Sequence, residues 1–345
     1  MATPLGAYTR TTTVTRILLV TDAWKPQVNG VVQTLERLSE QLEAMNIETA
    51  FLTPSEFTTA PLPTYPDIKL ALATQGAVRR RIATIKPDHI HIVTEGPLGM
   101  LARWHCLAVK RPFTTSYHTR FPEYVRARAP IPESWTYAWL KRFHNAGAGT
   151  LVATPSLRAE LTARGFDKIK PWTRGVDTEH FHPRHRGDLN LPRPVFLFVG
   201  RVAVEKNIEA FLALDLPGSK AVVGTGPALN ALKSRYPDAH FLGQKRGLDL
   251  AQTYASADVF VFPSRTDTFG VVLLEAMASG LPVAAYPVTG PIDVVGPGGA
   301  LSEDLRAAAL QAFDLDRDIP RKHALTYSWS SCAEMFMQHV RAVYV

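Results

Sequence analysis

Apolar runs of four to seven residues alternate along the chain with stretches whose apolar positions recur every three or four residues. Short runs of this kind suit strands buried on both faces, and the longer stretches suit amphipathic helices, so the pattern predicts parallel βαβ units. In the first half, strands are expected at Arg16–Thr21, Glu48–Leu52, His89–Val93, Phe113–Ser116 and Thr150–Val152. A helix over Val31–Met45 follows the first strand, with Val31, Leu35, Leu38 and Leu42 on one face. The second half repeats the scheme, with strands at Val195–Val199, Ala221–Val223, His240–Leu242, Val259–Phe262 and Val283–Ala285. Between the halves, Thr178–Pro194 carries three prolines and no periodicity, and reads as a linker. Ser328–Tyr344 reads as a closing helix rich in apolar and aromatic residues. A length of 345 residues exceeds what one core usually serves. A first domain over 1–180 and a second over 190–327 are therefore expected, each a doubly wound α/β sheet. Such sheets bind ligands at the carboxyl ends of their strands, and a cleft between two of them suits a reaction that joins two substrates.

Composition narrows the class. The chain is 46% hydrophobic and 20% charged, and its longest apolar stretches, Val259–Pro263 and Leu281–Val288, fall far short of a spanning helix. Met1–Arg16 is Thr-rich without the apolar centre of a secretory signal, and is expected to be a frayed lead-in. Cys106 and Cys332 lie far apart with no metal-ligand spacing, which suits buried thiols in a reducing compartment, hence the cytoplasm. The net charge of +7 is one-sided: residues 1–180 hold 22 Lys+Arg against 15 Asp+Glu, while residues 181–345 hold 16 of each. A basic half suggests an anionic partner, a membrane face or nucleic acid. The basic residues are not organised around a nucleic-acid-binding motif, so no nucleic acid is expected.

Four strand ends carry candidate chemistry. After the Val259–Phe262 strand, Pro263–Val283 contains Asp267 and Glu275, with Phe269-Gly270-Val271 opening a helix between them. The orphan N–H groups and dipole of a helix start favour an anion such as phosphate, and Glu275 is near enough to accept from ribose hydroxyls of the same ligand. Alternatively, Asp267 is a cap and Glu275 a solvated helix residue. After Val195–Val199, Gly200–Asn207 places Arg201 and Lys206 five residues apart, a planar fork and a point charge suited to a diphosphate. Gly224-Thr225-Gly226-Pro227 reads as a turn before it reads as a ligand site. In the first half, Asn29-Gly30 tolerates positive φ and would let the backbone approach a ligand, and His118 stands at the end of another strand.

Taken together, Pro26–Val31, Ser116–Tyr124, Gly200–Asn207 and Pro263–Val283, with Arg174-Gly175-Val176-Asp177 and Phe181-His182-Pro183 before the linker, resemble the family-4 retaining glycosyltransferases. The likeness runs from Ile17 to Val295 and is similar in particular to bacterial lipid glycosyltransferases and mannosyltransferases. It implies a GT-B fold, two facing Rossmann-like doubly wound domains with the cleft between them. The first domain would bind the acceptor, the second the nucleotide sugar, and the closing helix, 328–345, would pack back on the first. By position, Arg201 and Lys206 would hold the donor diphosphate and Glu275 the ribose. Asp267, at a position often Glu in the family, would lie beside the sugar, and the amides of Phe269, Gly270 and Val271 would contact sugar and phosphate. Gly30 would approach the phosphates from the other domain and His118 the transferred sugar. The resemblance implies a UDP-sugar or GDP-mannose donor, retention by front-face displacement and no bound metal or other cofactor. Asp314-x-Asp316 is expected to be surface.

The acceptor is expected to be a membrane lipid such as diacylglycerol, met at the cytoplasmic face of the cell membrane. The Arg79-Arg80-Arg81 cluster supports this, as does Glu123–His144, where Arg126, Arg128, Lys141 and Arg142 interleave with Tyr124, Trp135, Tyr137, Trp139 and Phe143. A soluble or polysaccharide acceptor, or a GT-B epimerase or hydrolase, are the alternatives.

Overall fold

A computed structural model describes residues 14–25, 29–62, 65–126 and 132–345. Met1–Thr13, Pro26–Val28, Arg128 and the Tyr124 side chain, named above, lie outside that description. The strands are β1 (Arg16–Val20), β2 (Glu48–Leu52), β3 (Thr59–Leu62), β4 (Tyr65–Ala71), β5 (His89–Ile92), β6 (Thr114–Tyr117), β7 (Gly149–Val152), β8 (Ile169–Pro171), β9 (Val195–Val199), β10 (Ser219–Val223), β11 (His240–Gly243), β12 (Val259–Phe262), β13 (Val283–Ala285) and β14 (Gly299–Leu301). The first sheet runs β2-β1-β5-β6-β7-β8 and the second β11-β10-β9-β12-β13-β14, with every pairing in both sheets parallel. The second is the 3-2-1-4-5-6 order of doubly wound folds, in which ligands bind where the order reverses. Reversal falls between β1 and β5 in the first sheet and between β9 and β12 in the second.

The helices are α1 (Gly30–Ala44), α2 (Gln75–Ile85), α3 (Pro97–Ala108), α4 (Phe121–Arg126), α5 (Glu133–His144), α6 (Pro155–Ala163), α7 (Ile208–Leu212), α8 (Leu229–Arg235), α9 (Gly247–Ser256), α10 (Val271–Ala278), α11 (Pro291–Val294), α12 (Leu305–Phe313), α13 (Asp318–Ala324) and α14 (Trp329–Arg341). β9 and β12 are buried along their whole length, as central parallel strands covered on both faces should be. Their alternate side chains feed two separate clusters, Leu197 and Phe260 on one face, Phe196 and Val261 on the other.

Three features depart from the expected elements. The three-residue edge strands β8 and β14 are too short to give a period, and β8 is mostly exposed. The antiparallel β3–β4 pair, in a proline-bearing stretch, was not expected at all. Thr178–Pro194 is docked rather than free. Phe181 joins the second domain's core beside Tyr254, and Arg321 donates to the carbonyls of Thr178, Phe181 and Ala278.

The closing helix covers the first domain. Trp329, Cys332, Phe336, Met337 and Val340 of α14 are buried with Ile17, Leu19, Leu35, Leu38 and Trp172. The Trp172 indole donates to the Cys332 carbonyl at 3.1 Å, which fixes the helix's height on the sheet. Phe336 is fully buried at the centre of this contact. Phe336→Ala is expected to cost about 3–5 kcal/mol in urea unfolding, and a loss below about 1 kcal/mol would show that α14 is not part of the first domain's core.

Candidate functional site

The second domain's wall is built from the loops after β9 and β12, on either side of its reversal point. A short helical turn, Val204–Lys206, brings the Lys206 ammonium to 2.6 Å from Asp267 Oδ1. Asn207, in left-handed conformation, donates to the Pro263 carbonyl at 3.1 Å, and Thr266 to the Glu205 carbonyl at 3.3 Å, so the two loops are tied together. Arg201 stands half-buried at the mouth of β9. Gly224 packs its backbone on this turn, since a Cβ there would run into the Gly200 carbonyl oxygen. Gly224-Thr225-Gly226 is thus a packing turn. Gly270, at φ +83°, caps α10 in a conformation that side chains rarely adopt, and the helix opens at Val271 as the sequence predicts. The Phe269 ring is buried against Tyr327, which holds the first amides of α10 in place.

Glu275, on α10, is buried rather than solvated. Its Oε2 accepts from the Tyr254 hydroxyl at 3.0 Å and its Oε1 from Gln33 Nε2 at 2.7 Å. Burial pushes its carboxyl above the usual range, against the lowering effect of the two hydrogen bonds. Gln33 sits on α1 of the opposite domain, so the candidate ribose ligand already bridges the cleft.

The first domain's wall differs from expectation at Asn29-Gly30. The pair does not form a positive-φ turn: Asn29 is extended at φ −152° and caps α1, accepting from the amides of Val31 and Val32 at 3.0 Å. Gly30 is the first helical residue, and a Cβ there would meet no atom within 4 Å. The special property of the site is therefore a capped helix start. At the reversal point of this sheet, the buried Asp22 carboxylate accepts from the amide of Leu98 at 2.9 Å and the hydroxyl of Thr94 at 3.0 Å.

His118 follows β6 and faces the second domain directly, because Thr268 donates to its carbonyl at 2.7 Å. Its Nδ1 lies 3.2 Å from Nη2 of the buried Arg174. Burial, with Arg174 next, holds this imidazole well below the ordinary histidine range. Buried polar atoms normally have partners. Among the described residues, Tyr117 Oη, His118 Nε2, Arg120 Nε, Glu123 Oε2, Ser264 Oγ and Asp267 Oδ2 are buried and have none. They gather after β6 and after β12, on the two segments that Thr268 ties together.

Arg201, Lys206, Asp267, Phe269, Gly270, Val271 and Glu275 thus share one wall, with His118 and Gly30 on the other. The sequence assigns no role in the site to Gln33, Tyr254, Thr268 or Arg174, the last two being named only within longer stretches, and each acts through a partner 21 to 242 positions away. No group of three or more His, Cys, Asp or Glu among the described residues is placed to hold a metal ion. Asp314 and Asp316 are exposed. Cys106 and Cys332 are buried free thiols, and burial pushes them up to about 12 and about 11.

The basic-aromatic stretch divides. Trp135, at 71% exposure, Trp139 and Arg142 face outward on α5, while Lys141 is half-buried. Tyr137 and Phe143 do not belong to that surface: they are buried, Tyr137 donating to Glu123 at 2.8 Å. Arg79 and Arg80 are exposed on α2, whereas Arg81 is paired with Glu56. The neighbouring α3 adds exposed Trp104 and Leu107, next to Arg103, which donates to the Arg142 and Phe143 carbonyls. No helix among the described residues is long and apolar enough to cross a membrane.

Comparison with known proteins accounts for this architecture. Residues 28–180 match the Glycosyltransferase Family 4 model and residues 193–314 the Glycosyl transferases group 1 model. The sulfoquinovosyl transferase of Arabidopsis thaliana is 35% identical over 68% of this chain, which spans about half (49%) of that relative's length. A GDP-mannose-dependent alpha-mannosyltransferase of Mycobacterium tuberculosis is 29% identical over 82% of each chain. The alpha-monoglucosyldiacylglycerol synthase of Streptococcus pneumoniae is 26% identical over 96% of this chain and 85% of its own. Among solved structures, the Anabaena HepE protein in complex with UDP and glucose superposes with a TM-score of 0.69 at 15% identity, over 95% of this chain and 100% of that one. With a family 4 domain followed by a group 1 domain across two facing parallel sheets, the chain belongs to the GT-B glycosyltransferases.

Proposed function

We propose that the cleft moves a hexose from a nucleotide-diphosphate sugar to a membrane lipid such as diacylglycerol, with retention of configuration and without a bound metal. One observation carries the reading: the Lys206–Asp267 pair, 2.6 Å apart, stands with Arg201 at the reversal point of the donor-side sheet, across the cleft from His118. Arg201 and Lys206 hold the diphosphate, Glu275 the ribose, and the Phe269–Val271 amides the sugar and phosphate. Gly30 meets the phosphates at the capped start of α1. The bond from the anomeric carbon to the diphosphate oxygen breaks, and the two cations stabilise the charge that develops there. The acceptor hydroxyl forms its new bond on the same face, and its proton passes to the departing phosphate oxygen.

The acceptor side rests on the first domain's surface. Trp135 and Trp139 with Arg79, Arg80 and Arg142 give apolar anchors rimmed by cations, each cation contributing about 1 kcal/mol near anionic lipid. Arg81 and Lys141 flank that surface. The relative named for diacylglycerol supports the same acceptor class. The protein acts at the cytoplasmic face of the membrane as a peripheral enzyme. Glucose, galactose, glucuronate and mannose donors all fit the contacts named above.

The test is a donor screen in EDTA, with each UDP-sugar and GDP-mannose supplied with and without vesicles holding diacylglycerol and anionic lipid. Release of nucleotide diphosphate from one or two donors, dependent on diacylglycerol, is expected. Release that needs no acceptor would replace this reading by a hydrolase or epimerase.

A further inference from the structure

Arg174 is a buried cation without a carboxylate partner among the described residues, although it lies beside the cleft. A charge in that setting is retained only where several groups hold it. Its Nη1 donates to the Trp172 carbonyl at 3.0 Å and the Thr173 carbonyl at 2.8 Å. Its guanidinium carbon lies 4.0 Å over the Trp172 ring, and Trp172 is itself fully buried and tied to Cys332 on α14. The next residue, Gly175, abuts the Trp329 backbone so closely that a Cβ would collide with it. One end of the guanidinium is therefore clamped, and its Nη2 reaches His118 Nδ1 at 3.2 Å.

Arginine has donors only, so Nδ1 of His118 must be the accepting nitrogen. A neutral imidazole whose Nδ1 accepts carries its proton on Nε2. An imidazolium has no lone pair at Nδ1 and would set two cations against each other. Turning the ring over would present a C–H to Arg174 in place of the nitrogen. His118 Nε2, the atom left to donate, is buried and has no partner among the described residues.

We infer that Arg174 is a positioning residue that fixes His118 as the neutral Nε2–H tautomer and aims that N–H as a donor at a hydroxyl of the transferred sugar. The sugar contact rests on the function proposed above, while the tautomer rests only on the Arg174–His118 geometry. Arg174 acts through His118 and touches no reacting atom.

The experiment is nitrogen-15 histidine NMR on the full chain, with His118→Asn used to assign the signal among eleven histidines. Wild type is expected to show an unprotonated Nδ1 and a protonated Nε2 for His118. Arg174→Met should give mixed tautomers and lower kcat roughly 10- to 100-fold, as misplacement of a substrate-positioning group does, with nucleotide-diphosphate affinity within about twofold. Arg174→Lys, which keeps a charged donor, should restore the Nε2–H pattern and most of the rate. A protonated Nδ1 in wild type overturns the proposal, even if Arg174→Met fails to fold. So does an Arg174→Met protein with unchanged tautomer and rate, or one whose nucleotide affinity falls as far as its kcat. Full activity in His118→Asn would instead remove the sugar contact from the function proposed above, leaving the NMR result to judge the tautomer alone.

Discussion

Lys206→Ala is expected to lower kcat by about 10²–10³, or about 2.7–4 kcal/mol, because in the proposed reaction it removes one cation from the oxygen on which charge develops. The Lys206 side chain is only 20% exposed and that of its partner Asp267 18%, so water replaces the ammonium poorly. A second effect adds to the first. Asp267 Oδ2 is already buried without a partner, and loss of Lys206 would leave the whole carboxylate uncompensated. That charge would sit where the leaving diphosphate must also be negative. Lys206→Arg keeps the charge but not the compact ammonium geometry, and should recover part of the rate. Steady-state kinetics with saturating acceptor separate the outcomes. A fall in kcat that exceeds the rise in donor KM fits a contact strengthened in the transition state. An effect confined to KM would reduce Lys206 to a ground-state contact.

Stability should fall steeply as pH drops below 6.5, because two histidines are buried neutral in the first domain's core. His89 and His91 are fully buried, linked through the Thr114 hydroxyl at 2.7 and 2.8 Å. Burial lowers His89 from 6.5 to about 3, with Arg111 acting in the same direction, and burial, with His89 and Arg174, lowers His91 well below 6.5. Below pH 6.5 the unfolded chain binds protons that the fold refuses, so lower pH favours unfolding. Each such histidine adds about 1.4 kcal/mol per pH unit to the slope, and His118, which burial also holds well below the ordinary range, adds a third share, for about 4 in all. Asp22 and Glu275 act oppositely. Their raised carboxyls take up protons in the fold before the unfolded chain does, which reduces the slope where they titrate. Urea midpoints measured from neutral pH downward should show the slope, and His89→Gln should remove about a third of it. A slope unaltered by His89→Gln would mean that this ring is protonated within the fold.

What could be read in advance follows from how local each signal is. β9 and β12 were legible because Val-Phe-Leu-Phe-Val and Val-Phe-Val-Phe are continuous apolar runs with turns on both sides. The helix opening at Phe269-Gly270-Val271 was legible too, because it directly follows such a strand. The edge strands β8 and β14 were not, since three residues cannot display a period. On α5 the necessary pattern was present but outweighed by composition. Tyr137, Leu140 and His144 recur at helical spacing and form the buried face, leaving Trp135 and Trp139 outside. Within the site, residue types and order were legible, whereas partners were not. Lys206 meets Asp267 across 61 positions, and Glu275 meets Gln33 across 242. Asn29-Gly30 shows the limit of a dipeptide rule, because the same two residues serve a turn or a cap according to the helix that follows. Arg174 was visible only within the Arg174-Gly175-Val176-Asp177 stretch that carries the resemblance, and that its charge is buried beside His118 is a property of the fold.

Metal-free, retaining transfer from a nucleotide sugar to lipid in one cleft, as proposed, requires the product to keep the donor's anomeric configuration. That configuration can be read from the product formed in EDTA. Protein, an α-linked nucleotide sugar labelled at its anomeric carbon, and diacylglycerol vesicles would be incubated with chelator, and the extracted lipid examined by carbon-13 NMR. An α-linked glycolipid, formed at an undiminished rate in chelator, is the predicted result. A β-linked product, or transfer abolished by EDTA and restored by added divalent metal, would rule that reaction out.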